Sequence, residues 1–228
     1  MIPVGDELPS RRLPVVTWGI IGLNALVFLY QLLLGPRVDQ FFMEWGAVPA
    51  LITDPWHYPL AWTTLFSSMF MHGGWSHILG NMVYLWIFGD NVEDALGHVG
   101  YALFYVAAGV AAGLAQVVVA PSSMVPAIGA SGAIAGVLAV YLVLYPRAPV
   151  RVLIPFFYFM RLARLPALLV LGFWFVLQLF NGLFSLGTIG LATGGVAWFA
   201  HIGGFVAGLA VGFVARALIR WRQQVWRG

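Results

Sequence analysis

The chain contains no cysteine and no lysine, and only 8% of its 228 residues are charged. Without cysteine there is no disulfide framework, no thiol nucleophile and no cysteine-based zinc or iron site. With about a third of the charge of an ordinary soluble domain, a folded surface cannot be covered by solvated side chains. The same scarcity, beside 61% hydrophobic and 15% aromatic residues, excludes a disordered chain. A basic patch suited to nucleic acid is missing too. The class that remains is a multi-span membrane protein.

Charge is absent from residues 13–36, 55–89, 95–146 and 165–215. A span needs about 20 apolar residues, so the first run holds one helix and the last two hold two each. Pro121-Ser122-Ser123 through Pro126 divides the third run, and Asn181-Gly182 through Thr193-Gly194-Gly195 divides the fourth, because proline and glycine punctuate helices. The second run is broken by His72-Gly73-Gly74-Trp75-Ser76-His77, leaving one span after it. Six helices are expected, over roughly 14–35, 77–96, 99–120, 130–146, 166–186 and 197–219.

Arginine sets the orientation. Arg11 and Arg12 precede helix 1, Arg147, Arg151, Arg161 and Arg164 lie between helices 4 and 5, and Arg216, Arg220, Arg222 and Arg227 close the chain. Six spans put these segments on one side, which the positive-inside rule makes cytoplasmic, with Arg37 outside. The expected organisation is a cytoplasmic N-terminal segment (1–13), a membrane domain (14–220) and a cytoplasmic basic tail (221–228), in the plasma (cell inner) membrane. Asp6 and Glu7, with the length of the first apolar run, disfavour a cleaved signal peptide. Residues 36–76 read as a long external loop, with Trp45, Trp56 and Trp62 at the interface, and 151–164 as a basic cytoplasmic anchor on anionic lipid.

A polar group at membrane depth is costly unless partnered, which makes each one a functional candidate. At the start of helix 2, His77 and Asn81 share a face one turn apart. Ser131 opens helix 4, and His201 lies one turn into helix 6. Helices 2, 4 and 6 all run inward, so these four side chains share the outer leaflet. Gly132 and Gly136 on helix 4, with Gly204, Gly208 and Gly212 on helix 6, are small residues spaced for close helix contact. A serine beside an imidazole is the minimal nucleophile-and-base pair. Asp90, Glu93 and Asp94 lie at the other end of helix 2, which leaves a Ser-His dyad. Donors for an oxyanion are His77, Asn81 and the backbone N–H groups of Ala130 and Ser131.

These residues fall within longer motifs: His72-Gly-Gly-Trp-Ser-His77-Ile-Leu-Gly-Asn81-Met, Phe88-Gly89-Asp90-Asn91-Val92-Glu93, Gly129-Ala-Ser131-Gly132 and Ala200-His201-Ile-Gly-Gly204 with Gly208. In this order they resemble the rhomboid intramembrane serine proteases. The resemblance implies an all-α membrane fold, a six-helix rhomboid-like bundle with a long external loop between helices 1 and 2. It implies Ser131 as nucleophile, His201 as general base and later acid, and His77 and Asn81 as oxyanion donors. It further implies substrates that are single transmembrane helices cut near the outer face. Two departures stand out. The Trp-Arg common in the family's external loop is Trp62-Thr63, and Ala135 stands where many relatives carry an aromatic that stacks on the catalytic histidine.

The alternative is a catalytically silent relative that binds transmembrane clients. A transporter would need ionisable residues at mid-membrane and inverted repeats, and neither is seen. No cofactor is expected, and a zinc site from His72, His77 and His201 is disfavoured because His-Glu-x-x-His is absent. A monomer is favoured. His72 reads as a loop-ordering residue, His57 and His98 as interface residues, and Glu93 and Asp94 as caps of the inner end of helix 2. Asn24, Gln31, Gln116, Gln178 and Asn181 read as interhelical hydrogen-bond partners, and Phe173, Trp174 and Phe175 as packing or lipid-facing.

Overall fold

The computed structural model describes residues 1–156, 159–185 and 197–225. Among them are six helices of 14 residues or more: α1 Val15–Leu34, α2 Trp75–Leu96, α3 His98–Val119, α4 Ser131–Leu144, α5 Ala167–Ser185 and α6 Trp198–Val225. The Thr193–Gly195 break and the end of the basic tail, including Arg227, lie outside the described residues. Four stretches, Val15–Trp45, His98–Val119, Ala167–Phe184 and Trp198–Trp221, are long and apolar enough to cross a membrane. The other two helices differ for separate reasons. α2 carries Ser76, His77, Asn81, Asp90, Glu93 and Asp94, and α4 has 14 residues, about 21 Å at 1.5 Å per residue against a hydrocarbon layer of about 30 Å.

α4 is the central element, with Ala133, Ala135, Val137, Leu138 and Tyr141 all buried. α6 lies against it at glycine-to-backbone contact. A Cβ on Gly204 would overlap the Gly132 carbonyl oxygen, and one on Gly208 would overlap that of Gly136. A Cβ on Gly136 would stand 2.8 Å from Ala108 Cβ of α3 as well as 3.1 Å from the Gly204 carbonyl oxygen of α6. Small residues therefore set the spacing of α3 and α6 against α4. Outward positions such as Leu33, Leu103, Val118 and Phe213 are exposed, as a lipid-facing surface requires.

The expectation of an all-α fold is corrected at the end of the bundle that holds the inner arginines. Strands β1 Ile2–Asp6, β2 Pro149–Phe156 and β3 Phe159–Pro166 form an antiparallel sheet in the order β1-β2-β3. Val150 and Val152 are fully buried against the bundle while Arg151 points outward, a period of two that suits a half-buried strand. The 151–164 segment is thus the greater part of a β-hairpin, and the N-terminal segment supplies its third strand. Asp6 anchors that strand, accepting hydrogen bonds from the Tyr141 hydroxyl at 2.5 Å and Asn91 Nδ2 at 3.1 Å. Glu7 pairs with Arg164 at 2.9 Å.

Glu93 also differs from expectation. It does not cap its own helix. Its buried carboxylate accepts the N–H groups of Val16 and Thr17 at 2.9 and 2.8 Å and the Thr17 hydroxyl at 2.7 Å, with His98 Nδ1 at 2.6 Å. A carboxylate at the start of α1 satisfies orphan donors and meets the positive end of the helix dipole.

Candidate active site

Between α1 and α2 the chain forms a run of short helices, among them Val38–Trp45 and Thr64–Ser67, whose end is buried at Ser68 through His72. His72 is tied to α1 twice: its N–H donates to Gln31 Oε1 at 3.0 Å, and its carbonyl accepts from Gln31 Nε2 at 2.7 Å. Burial, then the neighbouring His77, pushes the His72 imidazole down to a pKa of about 4. This residue orders the loop ahead of α2.

The approach to α4 is equally constrained. Ala47 and Ala127 form an isolated β-bridge, and the Gly129 N–H donates to the Ser68 carbonyl at 2.9 Å. Gly129 has φ +126, a conformation that glycine adopts readily and other residues rarely do. Helix α4 then starts at Ser131, whose first-turn N–H groups lack intrahelical partners.

His201, one turn into α6, is 7% exposed. Its Nε2 lies 2.7 Å from Ser131 Oγ, and its Nδ1 lies 2.7 Å from Gln178 Oε1 of α5. Two indoles flank the imidazole, each with its centroid 6.0 Å away, Trp174 tilted by 38° and Trp198 edge-on at 89°. Ala135 is buried on α4 and offers no ring, so the aromatic surroundings come from α5 and the start of α6.

His77 is close by. Its Nδ1 accepts from the Gly73 N–H at 3.3 Å, which leaves the ring proton on Nε2. A Cβ built on Gly129 would stand 2.7 Å from that Nε2 and 3.6 Å from Ser131 Oγ, so the His77 donor edge adjoins the serine. Asn81 is placed differently from His77: its Nδ2 donates to His72 Nε2 at 2.9 Å, committing one amide proton. Both residues line a cavity of about 670 Å³ together with Ser131, His201, Gln178 and Trp174. Among the described residues no carboxylate lines it. Among the described residues no cluster of three His, Asp or Glu side chains could hold a metal ion.

The sequence reading named Ser131, His201, His77 and Asn81, and the fold gathers all four. Gln178, read as an interhelical hydrogen-bond partner, does bond across to α6, but neither its partner His201 nor the place of Trp174 beside that ring follows from the sequence reading. The available signal was their i,i+4 spacing, which puts an amide and an indole on one face of an otherwise apolar helix.

Comparison with known proteins supplies the final observation. The Rhomboid domain family model matches residues 59–218. Rhomboid-like protein 11, chloroplastic, of Arabidopsis thaliana is 32% identical over 135 residues, 59% of this chain and 44% of that protein. Rhomboid protease GlpG of Klebsiella pneumoniae is 35% identical over 81 residues, 36% of this chain and 27% of that protein. The chain therefore spans less than half the length of either relative.

Proposed function

The chain belongs to the rhomboid family and is a multi-pass membrane protein, and from that premise we propose that it is an intramembrane serine endopeptidase acting through a Ser131–His201 dyad. The observation that carries this reading is the 2.7 Å contact between Ser131 Oγ and His201 Nε2 inside a cavity formed between helices.

In the proposed reaction, Ser131 Oγ attacks the scissile carbonyl carbon while His201 Nε2 takes the hydroxyl proton. The oxyanion is met by the unpaired N–H groups at the start of α4, from Ala130 and Ser131, and by the His77 Nε2–H, with Asn81 one turn deeper. Collapse of the tetrahedral intermediate breaks the C–N bond, and His201 returns its proton to the leaving amine. Water then attacks the acyl-serine with His201 again as base, regenerating the hydroxyl. The catalytically silent alternative has no use for a serine hydroxyl hydrogen-bonded to an imidazole.

All six helices α1–α6 span the bilayer in this proposal, with both termini cytoplasmic and the cavity opening toward the outer face of the cell membrane. α4, at about 21 Å, is shorter than the hydrocarbon layer, so Ser131 at its outer end sits below the interface and the cavity beside it provides the path for water. Substrates are single-span membrane proteins. Their scissile carbonyl is freed by local unwinding, so they carry glycine, proline or other poor helix formers in the outer part of the span. A monomer is sufficient, since one chain provides every group named. The test is cleavage of a labelled transmembrane substrate by purified protein in liposomes. Ser131→Ala and His201→Ala should each abolish turnover with folding intact, and full activity in Ser131→Ala would end the protease reading.

A further inference from the structure

We propose that Gln178 is the positioning residue of this site, holding His201 in the one tautomer that can accept the serine proton. The inference rests on the dyad reading above and adds to it the element that orients the base.

An amide oxygen only accepts, so with Gln178 Oε1 2.7 Å from Nδ1 the imidazole proton must reside on Nδ1. The lone pair is then on Nε2, 2.7 Å from Ser131 Oγ, where the base is needed. A neutral imidazole without such a partner divides its proton between both nitrogens, and the form protonated on Nε2 cannot take up the serine proton. Gln178 is itself buried, so this hydrogen bond does not compete with bulk water. One turn earlier on α5, Trp174 lies beside the same ring with centroids 6.0 Å apart. Helix α5 therefore holds the imidazole at its Nδ1 edge and lies beside its face, while α4 supplies the Ser131 hydroxyl at Nε2.

The choice of amide has a physical reason. A carboxylate in this position would also orient Nδ1–H, but an ionised group at membrane depth is costly. A neutral amide fixes the tautomer at no such cost, and gives up the charge stabilisation of the imidazolium that a carboxylate provides.

The experiment compares wild type, Gln178→Leu, Gln178→Glu and Ser131→Ala, all full-length in liposomes, using a fluorogenic transmembrane substrate. Labelling of Ser131 by a fluorophosphonate is followed in parallel. Gln178→Leu removes the acceptor and should lower kcat by about 10- to 100-fold with KM and thermal unfolding close to wild type, as expected when a catalytic group is misoriented. Gln178→Glu retains an acceptor at Nδ1 and should rescue most of that turnover. It should also move the acidic limb of the kcat/KM profile to higher pH, because a carboxylate favours the imidazolium. The other titratable side chains lining the cavity, His77 and Tyr84, are the same in every variant. Should Gln178→Leu fail to fold, the shift in the Gln178→Glu profile decides alone.

Wild-type turnover and labelling in Gln178→Leu would overturn the inference. So would equal losses in both Gln178 variants with an unmoved acidic limb, which is the signature of a purely structural amide. Failure of the underlying reading looks different: wild type would then be unlabelled at Ser131 and no more active than Ser131→Ala.

Discussion

Replacing Gly204 with alanine tests the link between helix packing and chemistry. The added Cβ would overlap the Gly132 carbonyl oxygen, stand 2.8 Å from the Gly132 carbonyl carbon and meet Ala112 Cβ at 3.4 Å. The first two are backbone atoms, so no side-chain rotation relieves them and α6 must move off α4 by roughly 1 Å to restore ordinary contact. The Ser131–His201 bond crosses the same interface, one residue from Gly132 and three from Gly204. Lengthening it from 2.7 Å by that amount takes it beyond hydrogen-bond range. Overpacking of this kind costs about 1–3 kcal/mol. Loss of the aligned base should lower kcat by about 10²-fold or more. Gly22→Ala on α1 is the control, since nothing lies within 4 Å of its Cβ position, and the exchange should leave stability unchanged or raise it by about 0.5–1 kcal/mol. Turnover of the transmembrane substrate and reversible unfolding in mixed micelles are the two measurements. A Gly204→Ala protein with wild-type kcat and an unchanged unfolding midpoint would refute the argument that backbone contact sets the dyad distance.

His77→Ala removes the donor edge beside Ser131 and should lower kcat by about 10²–10³-fold with little change in KM, whereas a loss confined to KM would assign His77 to substrate binding. Glu93→Ala strips the acceptor from two backbone N–H groups and the Thr17 hydroxyl in a buried setting, and should cost about 2–4 kcal/mol in unfolding experiments, so a loss near zero would contradict the cap. Burial, with repulsion from Asp90 added and the Tyr141 hydrogen bond opposing, raises the Asp6 pKa to about 6. Its folded-state pKa exceeds the unfolded one, so its contribution to strand docking is fully present below about pH 4 and is lost as pH rises through 6. Hydrogen exchange of the β1 amides, corrected for intrinsic rates, should accordingly show greater protection at pH 4.5 than at pH 7.5, and Asp6→Asn should remove the difference.

The positions of the long helices were legible in the sequence because exclusion of charge is a local property. Uncharged runs and the proline and glycine breaks within them report helices without reference to the rest of the chain, and α1, α3 and α5 begin and end within one residue of the expected 14–35, 99–120 and 166–186. The four polar side chains of the site were legible for the related reason that membrane depth makes every polar residue conspicuous. The glycines of α4 and α6 added which two helices approach most closely.

Tertiary structure decided the rest. Pairing of residues 2–6 with 150–153 joins segments more than 140 residues apart, and neither has a hydrophobic pattern strong enough to announce a strand alone. Glu93 serves α1 and not its own helix because the chain brings another N-terminus against it, which no i,i+4 spacing encodes. Asn81 commits an amide proton to His72, a partner found only once the loop folds back onto α2. Gln178 and Trp174 meet His201 by the rotation of α5 about its own axis. The i,i+4 spacing marks a face on α5, but hydropathy does not say which neighbour that face turns toward, and only packing against α6 brings it to His201.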